Sequence, residues 1–279
     1  MKIRWDDDWL YVGAWLQETQ IWANITETCH CINEDQDQVI FHDNDFEIFI
    51  DVDGSNHNYK EFEVNAANAT WIILLNKPYG DGGYENSSRV MGSDGFDMQP
   101  PLTSGVNVRP HNALNNPGIS GHLWSAEIAL PIDKVLERSI NPDRRPGHGD
   151  YWRINFSRVQ WRVLTEDDIY VKDPAFPHED NWVWSPQGEI AMHLPERWGF
   201  LQFSEVLFTL YDSHFLNNFP FPGRPRKHRS PCAGRGVESE AGGDGCLLRG
   251  AQLRLRSRGQ VHGGAGQPRG VHLLPQGKQ

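Results

Sequence analysis

The chain has 279 residues, a net charge of −11, and 11 Trp, 7 Tyr and 13 Phe. No apolar run approaches the roughly 18 residues that span a bilayer as a helix. No basic-then-apolar start marks a signal peptide, and four Cys are too few for a disulfide scaffold.

Residues 1–204 read as strands punctuated by turns. Lys2–Trp5 and Trp9–Leu16 flank Asp6, Asp7 and Asp8, which predicts a hairpin. In the second run Leu10, Val12, Ala14 and Leu16 share one face and Trp9, Tyr11 and Trp15 the other. Two apolar faces imply a strand covered on both sides or an aromatic binding face. Phe46–Val52, Glu61–Ala66, Trp71–Leu75, His122–Leu130, Tyr151–Trp161 and Gly199–Phe203 follow as strands. Gly, Asn, Asp and Pro clusters separate them, and a short helix is predicted over Asp133–Arg138. Such regularly punctuated strands predict an all-β sandwich or barrel.

The stretch 205–279 differs in kind. All Trp lie between Trp5 and Trp198, and no aromatic residue follows Phe221. Residues 1–210 hold 15 basic against 33 acidic side chains, net −18, whereas 211–279 hold 11 against 4, net +7. A body of that charge repels phosphate backbones, so no nucleic-acid partner is expected, and no membrane either. The tail, rich in Gly, Arg and Pro, is expected to be disordered or frame-shifted. A basic nucleic-acid arm is the reading set against these.

Several motifs occur in a fixed order: Asp43–Asp51 (DNDFEIFID), Glu127–Pro131 (EIALP), Trp152–Arg158 (WRINFSR), Asp180–Gly188 (DNWVWSPQG) and Pro195–Gly199 (PERWG). In that order they resemble the family 9 carbohydrate-binding modules, in particular a branch found in secreted bacterial proteins. The resemblance covers about residues 1–204 and none of the tail. It implies an immunoglobulin-like antiparallel β-sandwich that binds oligo- or polysaccharide without catalysis. It also implies an extracellular or periplasmic location beside a glycoside hydrolase acting on xylan- or cellulose-type chains. Members carry a segment before the strand matching Lys2–Trp5, so the N-terminal strand is expected to be missing, with a sheet edge left unpaired. A leader peptide and a hydrolase domain would be missing with it.

In the family two Trp clamp a sugar ring. By motif alignment their places fall at Phe41 and near Met192, which makes Trp182 or Trp184 the candidate for the second platform. The polar partners expected around them are His42, Asp43, Asn44, Gln187, His193 and Arg197. Trp5, Trp124, Trp152 and Trp198, on strands or in the closing motif, are expected in the core. Calcium, which the family uses to brace loops, is expected at Asp51, Asp53, Ser55 and Asn56, oxygen donors at alternate or adjacent positions of one loop. The spacing is not that of an EF-hand. The bland reading of that loop is a hydrated turn. Cys29-His30-Cys31 is a weak metal signal.

Two other readings stand beside this one. A haem-binding sandwich of the related DOMON type would use Met98 or Met192 with a His as axial ligands. A divergent glycoside hydrolase would use two of the many carboxylates, although no spacing singles out a pair.

Overall fold

The computed structural model describes residues 1–26, 39–91, 94–96, 102–205 and 269–276, all within one compact unit. Strands form where apolar residues alternate along the chain. They are β1 (Lys2–Trp5), β2 (Trp9–Gln17), β3 (Asp45–Asp51), β4 (Tyr59–Asn65), β5 (Thr70–Leu75), β6 (Glu85–Asn86) and β7 (Thr103–Arg109). After these come β8 (Leu123–Pro131), β9 (Tyr151–Gln160), β10 (Val163–Glu166), β11 (Ile169–Lys172), β12 (Asp180–Val183), β13 (Gly199–Ser204) and β14 (Arg269–Leu274). Two helices of a turn or so, α1 (Ser88–Met91) and α2 (Ile132–Leu136), interrupt them. The helix expected at Asp133–Arg138 is therefore present, displaced by a residue or two.

The strands join antiparallel in the order β6-β5-β4-β3-β9-β13-β14-β1-β2-β8-β7. β12 adds to the far part of β9, and β10 and β11 form a separate hairpin. The long sheet folds over itself. Leu10, Val12, Trp124 and Ile128 of one half pack with Ile48, Phe62, Ile154 and Leu201 of the other in one buried cluster. This is the predicted sandwich. The four Trp expected in the core are there, none more than 5% exposed. Trp5 and Trp152 both meet Phe203 edge-on, at 5.0 and 4.6 Å.

The β1–β2 hairpin is closed by Asp6. One carboxylate oxygen accepts from the backbone N–H of Asp8 and of Trp9, and the other from the Tyr11 hydroxyl. An Asp at the head of a turn does this because its short side chain reaches its own backbone two and three residues on.

Two expectations are corrected at the outer edge of β1. That edge is not open, because β14 lies between β1 and β13 and pairs antiparallel with both. Its residues come from within 205–279, so Arg269–Leu274 at least belongs to the sandwich. Arg269 stacks on the Trp5 ring at 3.7 Å and bonds Asp7, and the Trp5 indole N–H donates to Gly270 O at 2.9 Å. Val271 and Leu273 face the core, as alternation requires. Residues 206–268 of the predicted tail lie outside the described residues, as do Cys29-His30-Cys31 and Met98.

Candidate functional site

Strands β3, β4, β5 and β9 have one face in the core and a second face with very different chemistry. Phe46, Ile48 and Ile50 alternate with Asp45, Glu47, Phe49 and Asp51 along β3. Phe62 and Val64 alternate with Tyr59, Glu61, Glu63 and Asn65 along β4. Register then turns these alternations into a grid on the outer face. Across one row stand Ser157, Glu47, Glu63 and Trp71. The next row holds Asn155, Phe49, Glu61 and Ile73, and on the other side Val159, Asp45 and Asn65 lie opposite one another.

The outer face is buried as well. Asp45, Glu47, Glu61 and Glu63 are each 4% exposed or less. Each has one carboxylate oxygen out of contact with water and without a hydrogen-bond partner: Asp45 Oδ2, Glu47 Oε2, Glu61 Oε2 and Glu63 Oε2. Desolvation, followed by mutual repulsion, drives the carboxyls of Asp45 and Glu63 well above the usual carboxylate range. Glu61 is raised by desolvation and by Glu47, and Glu47 is pushed up to about 7, again chiefly by desolvation. Like charges directly across a strand pair, here Glu47 and Glu63, oppose folding. Unpaired buried polar atoms do so too.

Aromatic residues flank the acidic grid at both ends. At one end Phe41, half-buried on the turn Ile40–His42, tilts toward Trp71 with ring centres 6.4 Å apart. At the other, His193 meets Phe49, Tyr59 and Tyr79 at 5.8, 6.1 and 4.7 Å. Its Nδ1 is 3.2 Å from the Tyr59 hydroxyl and its Nε2 is 3.9 Å from Glu61 Oε2. Burial lowers the His193 imidazole to about 4, so it is neutral near pH 7. Tyr79 is 45% exposed and supplies an accessible ring beside it.

The residues expected from the sequence divide three ways. Phe41 and His193 belong to this face. Gln187 supports it from behind, since its side-chain oxygen accepts from the Trp198 indole N–H at 3.1 Å and its amide donates to the Met192 sulfur at 3.6 Å. Arg197 donates to Gln187 O, and His42 is exposed beside Phe41. Asp43 and Asn44 act as struts. Asp43 Oδ2 accepts from the backbone N–H of Asn24 and Ile25 and from the Asn65 amide, and Asn44 Oδ1 accepts from Trp161 N–H.

Trp182 and Trp184 do not complete a clamp with Phe41. Trp182 pairs with Arg158 and so projects on the face of Phe156, opposite to that of Ser157. Trp184 packs edge-on against Phe156 at 5.8 Å in the core. A Cβ at Gly199 would come within 2.4 Å of its ring, so the glycine makes room for it. The Trp184 position is thus set by packing.

The loop expected to hold calcium closes through its own backbone. Asp51 Oδ1 accepts from Asp53 N and Gly54 N, and Oδ2 accepts from Asn56 N. Asp53 takes Ser55 N on one oxygen and Ile140 N on the other. Every carboxylate oxygen there accepts from at least one backbone N–H, so the four expected ligands are gathered in one hydrogen-bonded turn. Asp53 also lines a separate cleft of about 500 Å³ with Arg144, Arg145, Tyr151, Arg153 and Phe200. None of the residues expected to bind sugar lines that cleft.

The acidic grid escaped sequence reasoning, although a signal was present. Charges at period two on two successive strands mark one face, and DNDFEIFID and YKEFEVN both show it.

No family model matches the chain, and no curated protein matches it. Among solved structures it is similar to a Bacteroides uniformis protein assigned as carbohydrate-binding. That likeness has 14% identity and a TM-score of 0.40, over 70% of this chain and 72% of the other. It is also similar to a family 9 carbohydrate-binding module of Caldicellulosiruptor kristjanssonii bound to glucose. The identity is 14% and the TM-score 0.34, with 61% of each chain covered. The same module bound to cellotriose gives 16% identity and a TM-score of 0.32, over 61% and 60% of the two chains.

Proposed function

We propose that this chain is a carbohydrate-binding sandwich whose ligand packs on aromatic rings at the rim of the outer face of β3, β4, β5 and β9. One observation carries the reading. Ring surface is accessible at both ends of that face: Phe41 is half-buried beside the exposed His42, and Tyr79 is 45% exposed beside His193. A sugar offers hydroxyl donors at its rim and C–H patches on its faces. Aromatic rings pack against the second, and exposed polar groups at the rim such as His42 meet the first. The ordered motifs from Asp43 to Gly199 support the same class.

In this reading the chain does no chemistry. It brings a partner glycoside hydrolase to xylan- or cellulose-type polysaccharide outside the cytoplasm. Calorimetric titration with xylose, glucose and galactose and their oligosaccharides tests it. Saturable heat that falls in Phe41→Ala or in Tyr79→Ala, with no reducing sugar released over hours, is the expected result. Absence of heat with every saccharide, in calcium and in chelator alike, refutes saccharide binding. Sugar release abolished by a single Glu→Gln change would make the chain a hydrolase instead.

A further inference from the structure

The cleft of about 500 Å³ lies between the β3–β4 turn, the loop from α2 to β9 and the paired strands β9 and β13. We propose that this cleft is a second saccharide site, selective for sugars that carry a carboxylate, of the uronic-acid class, with Arg153 as the group that binds the carboxylate.

Charge is the first pointer. Residues 1–210 are net −18, yet Arg144, Arg145 and Arg153 line the cleft against Asp53 and Asp150, an excess of one positive charge. Four of these five side chains are already engaged. Arg144 pairs with Asp150 at 2.7 Å, and Arg145 with Asp133 and the Asp7 carbonyl. Asp53 accepts from Ser55 and Ile140 N–H, and the second oxygen of Asp150 from Gly147 N–H. Arg153 is the exception. It is half-buried, donates one N–H to Pro195 O at 2.9 Å, and among the described residues has no carboxylate in ion-pair contact. Asp51, its cross-strand neighbour on β3, gives both oxygens to backbone N–H groups of the turn. A guanidinium has five donors in a fixed fork that matches a carboxylate, so most of that fork is left for a ligand. One uncompensated positive charge suits a monoanion better than a phosphate dianion.

The rings beside Arg153 are the second pointer. In the β9–β13 register Phe200 stands opposite Arg153 and Gln202 opposite Tyr151, so these four side chains share one face. The guanidinium carbon is 5.7 Å from the Phe200 ring centre, a cation–π contact that, with Pro195 O, fixes the fork before any ligand arrives. Tyr151 is 51% exposed, and its hydroxyl accepts from the Gln202 amide at 2.5 Å, which holds the ring in place. Two residues along a strand span about 6.6–6.8 Å. A sugar ring packed on Tyr151 therefore brings a carboxylate at its edge over Arg153. Its hydroxyls then face Arg144, 70% exposed at the cleft mouth. The volume is that of a small-ligand site, about 300–1,000 Å³.

The inference rests on the saccharide reading for its ligand class and shares no residue with the rim at Phe41 and Tyr79. Its test is calorimetric titration of the full-length chain with trigalacturonate and with a glucuronate-substituted xylo-oligosaccharide, beside galactose and xylose oligomers that lack the carboxylate. Saturable heat from an acidic oligosaccharide is expected, weakened about tenfold or more in Arg153→Gln and in Tyr151→Ala and retained in Trp182→Ala. Circular dichroism verifies folding, and Tyr151→Ala, at an exposed ring, keeps the test open where Arg153→Gln fails to fold. Absence of heat from both acidic oligosaccharides, or undiminished heat in folded Arg153→Gln and Tyr151→Ala, overturns the proposal. So does equally tight binding of inorganic phosphate or of a hexaglutamate peptide, which would make the cleft a site for anions in general. Loss in Phe41→Ala with retention in Arg153→Gln overturns it by moving the acidic sugar to the rim. Heat from neutral oligomers alone sinks this site and leaves the saccharide reading standing, whereas heat from acidic ones alone, lost in Arg153→Gln, supports this site and removes the one at the rim.

Discussion

Replacing Glu47 by Gln is expected to stabilise the chain. The Glu47 carboxyl moves from 4.5 to about 7 on folding, chiefly through desolvation. Below about pH 4.5 the group is protonated in both folded and unfolded states and costs nothing. Between pH 4.5 and 7 the unfolded chain loses its proton first, so stability falls as pH rises. Above pH 7 the full cost is present. At about 1.36 kcal/mol per pH unit, a separation of roughly 2.5 units amounts to about 3 kcal/mol near pH 8 and under about 1 kcal/mol at pH 5. Gln has nearly the same shape and no charge, so it recovers most of that difference. Urea unfolding followed by Trp fluorescence, in chelator at pH 5 and pH 8, measures it. Glu47→Gln is expected to exceed wild type by about 2–3 kcal/mol at pH 8 and by under about 1 kcal/mol at pH 5. Equal stability at both pH values, or a less stable variant at pH 8, refutes the reasoning, because hydrogen bonding such as that from Ser157 would then outweigh desolvation.

Phe41→Ala should weaken saccharide binding about tenfold or more, the loss of about 1.4 kcal/mol of ring contact, while Trp182→Ala leaves the affinity unchanged. Titration of both variants with one oligosaccharide decides it. Gly199→Ala forces a methyl into the Trp184 ring and the Leu274 carbonyl, and should cost about 1–3 kcal/mol in urea unfolding. His193, with its imidazole lowered from 6.5 to about 4 by burial, contributes in the opposite sense to Glu47. Its contribution is complete above pH 6.5 and is lost as pH falls through 4. The melting temperature of His193→Phe relative to wild type should therefore rise on acidification across that window. A constant difference would show that His193 is already charged in the folded state.

The strands that bury one whole face were legible. Leu10, Val12, Ala14 and Leu16, or Phe46, Ile48 and Ile50, alternate over enough residues to reveal both the element and its inner side. β7 was not, because it carries only Val106 and Val108 between polar residues and lies at the rim of the sheet. β12 sits in a polar, Pro-flanked stretch, and β14 sits in a basic one. Their pairing comes from tertiary contact rather than from their own pattern. The same limit governs the site. Composition shows acids at period two on β3 and on β4, but only register sets Glu47 across from Glu63 and Ser157. Aromatic residues misled for a related reason: Trp182 and Trp184 are two apart and share one side of their strand's line, and that side is the one away from Phe41.

The insertion of β14 between β1 and β13 bears on the order of assembly. β1 meets β14 across more than 260 positions of chain, whereas β1 and β2 meet across a three-residue turn. During synthesis the hairpin of β1 and β2 can form as soon as its own residues emerge. The backbone edges of β1 and β13 must then wait, unpaired, until Arg269–Leu274 has left the ribosome. Through that interval the nascent chain presents two open β-edges, each able to template another strand, so chaperone dependence should persist until β14 is in place.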